Sequence, residues 1–224
     1  METWDPIWEK DSYSDTELRK DKAKKKVDLF FDYLALDKEN VCVDIGCGGG
    51  FISSEIHHRF KCKIISFDIS EEAIKLAKLE NAFENSDYRI ASAECLPLSD
   101  QSVDVVLCIG VLEHIINFNK ALAEIDRILK PNGKLIVTTS NLYSLMYFDR
   151  LIKQLFGVWK YGYQKNWSPR QIKHQLNIAG FSIINTSVFQ GFGDFHCKNK
   201  LDSLFNKFIN CWGRYILLVG EKQK

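Results

Sequence analysis

Val41-Cys-Val-Asp-Ile-Gly-Cys-Gly-Gly-Gly50 is a short apolar run that meets an aspartate and passes straight into glycines at 46, 48, 49 and 50. The run reads as a buried strand, Val41–Ile45, and the amphipathic stretch beyond the glycines reads as a helix from about Phe51 to Phe60. Glycine in such a turn permits positive φ and lets a ligand approach the backbone with no Cβ in the way. The helix start beyond it offers free N–H groups and the positive end of a dipole, which suits an anionic group such as a carboxylate. Taken alone, the turn fits a pyrophosphate, the amino-acid tail of a nucleoside, or no ligand at all. Asp44 tilts the balance, because a carboxylate there repels a pyrophosphate and attracts an ammonium.

Outward from this segment, strands and helices alternate. Lys63–Phe67 is a second strand, and Ser70 caps a helix running to about Phe83, with Glu71 and Glu72 in its first turn and Ala73, Leu76, Ala77 and Leu79 near one face. Asp87–Ala91 and Val103–Ile109 read as the third and fourth strands. Asn117 caps a helix carrying Ala121, Leu122, Ile125 and Ile128, and the turn Lys130-Pro-Asn-Gly133 leads to a fifth strand, Lys134–Thr139. Later, Ser168-Pro169 opens a helix that closes at Gly180, and Phe181–Phe189 and Tyr215–Val219 look like closing strands. The alternation implies an α/β fold with a parallel, doubly wound sheet. Asp68 ends the second strand about twenty residues past the turn, where an acid can accept two ribose hydroxyls or cap the next helix.

These segments resemble the class I S-adenosylmethionine (SAM)-dependent methyltransferases. Val43–Gly50 matches their first motif, Phe67-Asp-Ile-Ser70 their ribose motif, and Ala93-Glu-Cys-Leu-Pro-Leu-Ser-Asp-Gln-Ser-Val-Asp-Val-Val106 their adenine and fourth-strand motif. Ile109-Gly-Val-Leu-Glu-His114 and Ile128-Leu-Lys-Pro-Asn-Gly-Lys134 complete the series, so five motifs in order cover about 100 residues. The resemblance implies a Rossmann-like seven-stranded sheet with one antiparallel strand, helices on both faces, and SAM as cofactor, with S-adenosylhomocysteine (SAH) as product. It places Gly46, Cys47 and Gly48 against the methionine part, Asp44 near the amino group, Asp68 on the ribose and Ile69 on the adenine. Ala93 and Glu94 border the adenine edge, and Ile109 with Gly110 lies near the sulfonium. Where many relatives carry an aspartate before the Ala-Glu pair, this chain has Ser92, so Ser92 or Glu94 is left to accept the adenine amino group.

Downstream, Thr138–Asn141, Trp167–Ile172 and Ala179–Phe181 resemble small-molecule O-methyltransferases of the ubiquinone pathway. The implied division is one domain over 1–224: a helical cap (1–37), a SAM-binding core (38–140) and substrate-side helices with closing strands (141–224). An oxygen acceptor must lose a proton, and His114, just past the fourth strand, is the first candidate base, with His196 in the segment Gln190–Trp212 the second. Ubiquinone-pathway relatives have Glu-x-x-Glu-His where this chain has Gly110 before Glu113-His114, so no metal site is expected. The acceptor is expected to be a small, apolar or aromatic molecule. Tyr143, Tyr147, Phe148, Phe156, Tyr161 and Tyr163 either line its pocket or only pack helices onto the sheet. N- or C-methylation, RNA or protein methylation, and a SAM-binding subunit without turnover remain as alternatives.

Bulk properties narrow the class further. At 224 residues, with 46% hydrophobic and 26% charged residues and a net charge of +1, the chain is globular and lacks the excess charge of a general nucleic-acid binder. The basic run Arg19–Lys26 is expected to form the solvated face of the cap helix. No window reaches the roughly 20 apolar residues of a membrane span. The N-terminus Met-Glu-Thr-Trp-Asp-Pro shows no secretory signal, and seven scattered cysteines without a Cys-x-x-Cys pair suit reduced thiols, so a cytoplasmic protein is expected.

Overall fold

The computed structural model describes residues 4–11, 16–189 and 211–223. Two helices, α1 (Asp5–Asp11) and α2 (Thr16–Asp28), precede the first strand, β1 (Val41–Ile45). Then follow α3 (Phe51–Phe60), β2 (Lys63–Asp68), α4 (Glu71–Glu80), β3 (Asp87–Ile90), β4 (Val103–Ile109), α5 (Phe118–Ile128) and β5 (Leu129–Ser140). After α6 (Leu145–Leu155) and α7 (Pro169–Ile178), β6 (Phe181–Phe189) and β7 (Tyr215–Lys222) close a seven-stranded sheet of order β3-β2-β1-β4-β5-β7-β6. β1 to β5 are mutually parallel, and β7 runs antiparallel between β5 and β6. This is the expected Rossmann-like sheet.

Alternate residues of each central strand feed two cores. Val43, Ile45, Phe67, Val106 and Cys108 pack against Leu122 and Ile125 of α5 and Leu176 of α7. Cys42, Ile64, Val105 and Leu107 pack against Val27 of α2 and Ile56 of α3. Helices therefore cover both faces, which is why these strands carry apolar residues at consecutive positions. The strand order reverses between β1 and β4, and such a switch point opens a crevice beyond the carboxyl ends of the strands.

Local expectations fare unevenly. Ser70 does cap α4, accepting the N–H of Ala73 at 3.2 Å, and Ser168 with Gln171 forms a complete capping box for α7. Yet α4 stops at Glu80, Leu79 within it is 82% exposed, and Phe83 beyond it stacks on His57 with ring centroids 4.2 Å apart. Asn117 occupies the cap position of α5 without capping it; its side-chain amide donates to Glu94 Oε2 at 3.0 Å. Lys130–Gly133 is no turn between elements but an irregularity inside β5, which already pairs Leu129 with Val103. Among the described residues no helix is long and apolar enough to cross a membrane.

Candidate active site

A cavity of about 750 Å³ lies beyond the carboxyl ends of β1, β2 and β4, at the switch point. Every residue expected to hold the cofactor lines it: Asp44, Gly46, Cys47, Gly48, Asp68, Ile69, Ser92, Ala93, Glu94, Ile109 and Gly110, together with His114. His196 lies outside the described residues.

The turn is held by its own carboxyl-side neighbour. Gly46 and Cys47 donate their N–H groups to Phe67 O at 2.7 and 3.0 Å, and Gly48 donates to Asp68 Oδ2 at 2.8 Å. Gly50 donates to Cys47 O at 3.0 Å. These four amides belong to the turn and serve the fold, whereas the N–H groups expected to be free are those of the helix start at Phe51. The glycines also answer to protein contacts. A Cβ on Gly46 (φ +68°) would sit 2.2 Å from Val111 Cγ2, and one on Gly48 (φ +52°) 2.4 Å from the Trp8 ring. Cys47 is among the lining residues. Its thiol packs with Ile74, Ala77 and Tyr88, and burial pushes it well above the ordinary thiol range.

Two carboxylates flank this turn on adjacent strands, in a register that sets Ile45 beside Phe67. Asp44, 2% exposed, accepts the Ser53 hydroxyl at 2.6 Å. Burial raises its pKa to about 7, and Asp68 adds repulsion, while Ser53 and Lys26 act in the opposite direction. Asp68, 7% exposed, is raised too, chiefly by burial, although its two oxygens accept Gly48 N and Ser70 N at 2.8 and 2.9 Å. An ionised carboxylate offers about four lone-pair positions, so about two remain for a ligand. Further round the wall, Ser92 Oγ already accepts the Glu94 N–H at 3.2 Å, and Ile69 is 39% exposed over the cavity.

Lys26 is a cavity residue that the sequence reading missed. Arg19, Lys22 and Lys26 lie three and four residues apart on α2 and face the cavity, with Ala23 between them, instead of all pointing to solvent. Burial lowers the Lys26 ammonium below its ordinary pKa, with Lys22 and Arg214 adding repulsion and Glu113 and Asp44 opposing it. Among the described residues neither the Lys22 nor the Lys26 side chain makes a hydrogen bond or ion pair. A desolvated, unpaired cation in a cavity is costly and suits an anionic ligand. The only legible signal was the spacing.

His114 stands at the other end. Its Nδ1 lies 2.9 Å from the carbonyl of Tyr163, which can only accept, so Nδ1 carries the proton and Nε2 is the basic nitrogen of the neutral ring. Trp4 meets the ring edge-on at 4.8 Å, and Tyr161 and Tyr163 continue the aromatic wall. Tyr143, Tyr147, Phe148 and Phe156 are not part of it. Glu113 points elsewhere: it is 2% exposed and its Oε1 accepts the Ser140 N–H and hydroxyl at 3.2 and 3.0 Å. Gly110 has nothing within 4 Å of where a Cβ would stand, so the space before His114 is open.

The sequence family described as a methyltransferase domain matches residues 43–137. The human mitochondrial ubiquinone biosynthesis O-methyltransferase is 28% identical over 181 residues, 76% of this chain and 45% of that protein. The chain spans about half the length of the curated relatives it matches. A chain from the complex between the Haloferax volcanii Trm112 methyltransferase activator and a methyltransferase superposes with a TM-score of 0.77 at 16% identity, covering 99% of this chain and 96% of that one. Geranyl diphosphate C-methyltransferase from Streptomyces coelicolor, solved with Mg2+, geranyl diphosphate and SAH, gives 0.68 at 13% identity, covering 88% and 77%.

Proposed function

We propose that this chain, which carries a class I SAM-dependent methyltransferase domain, transfers the methyl group of SAM to an oxygen atom of a small-molecule acceptor. The observation that carries the reading is the pair Asp44 and Asp68 at adjacent strand ends, with bare backbone between them and the unpaired Lys26 on the cavity wall. That arrangement matches an amino-acid-bearing nucleoside, whose ammonium, carboxylate and ribose need an acid, a cation and a second acid. A pyrophosphate would meet Asp44 unfavourably.

In this reading Asp44 takes the ammonium and Lys26 the carboxylate. Asp68 accepts from the ribose with the lone pairs its backbone contacts leave, Ile69 packs on the adenine, and Ser92, Ala93 and Glu94 border the adenine edge. Ile109 and Gly110 lie near the sulfonium. When bound, SAM supplies a methyl group already activated for in-line displacement, so the protein's main task is alignment, which contributes roughly 7–11 kcal/mol in well-oriented systems. The wall of Trp4, Tyr161 and Tyr163 holds an apolar or aromatic acceptor beside His114, and Nε2 of His114 takes the proton that the attacking hydroxyl loses. The O-methyltransferase names of the sequence relatives support oxygen as the acceptor atom.

Calorimetry with SAH and with NAD is the first test: SAH should bind and NAD should not. A panel of phenols and alcohols incubated with SAM, read by mass spectrometry, then tests the acceptor. Binding of NAD with no binding of SAH overturns the cofactor assignment, and methylation confined to amines overturns the oxygen assignment.

A further inference from the structure

We propose that Ser53 is a positioning residue for the donor: its hydroxyl, supported by Ser66, fixes one oxygen of the Asp44 carboxylate so that the other is presented to the donor's ammonium. The inference rests on the methyl-transfer reading above.

Three side chains form a one-way chain beneath the cavity. Ser66 on β2 stands in register with Asp44 on β1 and donates to Ser53 Oγ at 2.9 Å. Ser53, in the first turn of α3, donates to Asp44 Oδ2 at 2.6 Å. Ser53 and Ser66 are 0% and 1% exposed, so neither hydroxyl has water as an alternative. Each hydroxyl has a single hydrogen, and here each one is passed toward the carboxylate. Successive donors of this kind polarise one another, which favours the ionised acid at the end of the chain. Among the described residues Asp44 Oδ1 has no hydrogen-bond partner, and Asp44 lines the cavity.

The groups facing Asp44 make this support necessary. Asp68 from β2 repels the carboxylate and Lys26 from α2 attracts it. The thiols of Cys42, Cys47 and Cys108 and the phenol of Tyr88 also lie within electrostatic reach. Burial already brings Asp44 to about 7, so loss of the Ser53 hydroxyl moves it further up. An ammonium needs the ionised acid, so donor affinity falls as pH drops through the Asp44 midpoint.

The test is SAH affinity by calorimetry from about pH 5.5 to about pH 8.5, spanning the Asp44 midpoint, for the wild type, Ser53→Ala and Ser66→Ala. Ser53→Ala should raise the midpoint by about half a unit to one unit and weaken binding roughly 3- to 10-fold near pH 6.5, with the curves converging at high pH. Ser66→Ala should shift it the same way by less. An equal weakening at every pH with an unmoved midpoint overturns the proposal, since it reports only lost packing. If Ser53→Ala does not fold, Ser66→Ala decides by the same criterion. A wild type that binds no SAH at any pH overturns both this proposal and the methyl-transfer reading, whereas binding with an unmoved midpoint overturns this proposal alone.

Discussion

The carboxylate of Asp68 accepts the backbone N–H of Gly48 at 2.8 Å, so the end of β2 holds the turn that leaves β1. One side chain thereby shapes the cavity wall and faces into the cavity, with its second oxygen on Ser70 N at 2.9 Å. The two jobs are not separable by deletion, but they are by charge.

Asp68→Ala should weaken SAH binding by on the order of 2–4 kcal/mol through loss of charge-assisted hydrogen bonds to the ribose. Asp68→Asn, which still accepts one backbone N–H, should lose less and keep the melting temperature closer to the wild type. Calorimetry and thermal unfolding of both variants check this. Unchanged affinity in Asp68→Ala would remove the residue from the ribose site.

His114→Ala should lower turnover by roughly 10²–10⁴-fold while SAH affinity stays near that of the wild type. The ring is oriented by the Tyr163 carbonyl and braced by Trp4, so Trp4→Ala should produce a smaller loss by letting it tilt. Initial rates on an acceptor found by screening are the measurement. Full activity in His114→Ala would leave the histidine as a brace for the loop.

Lys26→Met keeps most of the unbranched side chain and deletes its charged end. It should weaken SAH binding by about 1.5–3 kcal/mol, the range for hydrogen bonds to charged groups. The same substitution should have little effect on binding of the decarboxylated analogue, which has no carboxylate to meet. An equal loss for both ligands would mean that Lys26 does not contact the carboxylate.

Much of this site was legible because its chemistry lies in contiguous motifs. Val41–Gly50 and Phe67–Ser70 each carry their own strand end, so their residues reach the cavity wherever the strands pair. The α2 residues were not legible in that way. A run of six basic residues in eight reads as solvated, and only tertiary packing of Ala23 and Val27 rotates Arg19, Lys22 and Lys26 inward. Trp4 and Trp8 belong to the cavity for the same reason: the latch that lays α1 against α4, Ser70 Oγ on Asp5 Oδ1 at 2.5 Å, joins residues 65 apart. Leu79 shows the converse error, since it reads from sequence as lying near the apolar face, while the buried face of α4 is Ala73, Ile74, Leu76 and Ala77 and Leu79 turns away from it.

Gly46→Ala tests how tightly the turn is built. At φ +68° an alanine carries a backbone penalty of about 1–2 kcal/mol, and its Cβ would overlap Val111. Overpacking of that kind adds roughly 1–3 kcal/mol. The denaturant midpoint should fall accordingly, and Val111→Ala in the same chain should recover the overpacking part but not the backbone part.

Asp44 makes the molecule less stable than it needs to be, and the sign follows from its raised pKa. The folded protein holds the proton up to about pH 7, whereas the unfolded chain releases it near its ordinary carboxylate value. Between those values the unfolded state binds fewer protons, so stability attributable to this group is present at acid pH and is lost as pH rises through about 7. Asp44→Asn removes the ionisation and should be more stable than the wild type by about 1–3 kcal/mol near pH 8, once the weaker hydrogen bond from Ser53 is allowed for, with the gain vanishing toward pH 4. The same variant should bind SAH far more weakly, because an amide cannot pair with the ammonium. Denaturant unfolding across pH, set beside calorimetry, reads both. A variant that gains no stability at pH 8, or that binds SAH as tightly as the wild type, would show that Asp44 is not a buried charge kept for its ligand.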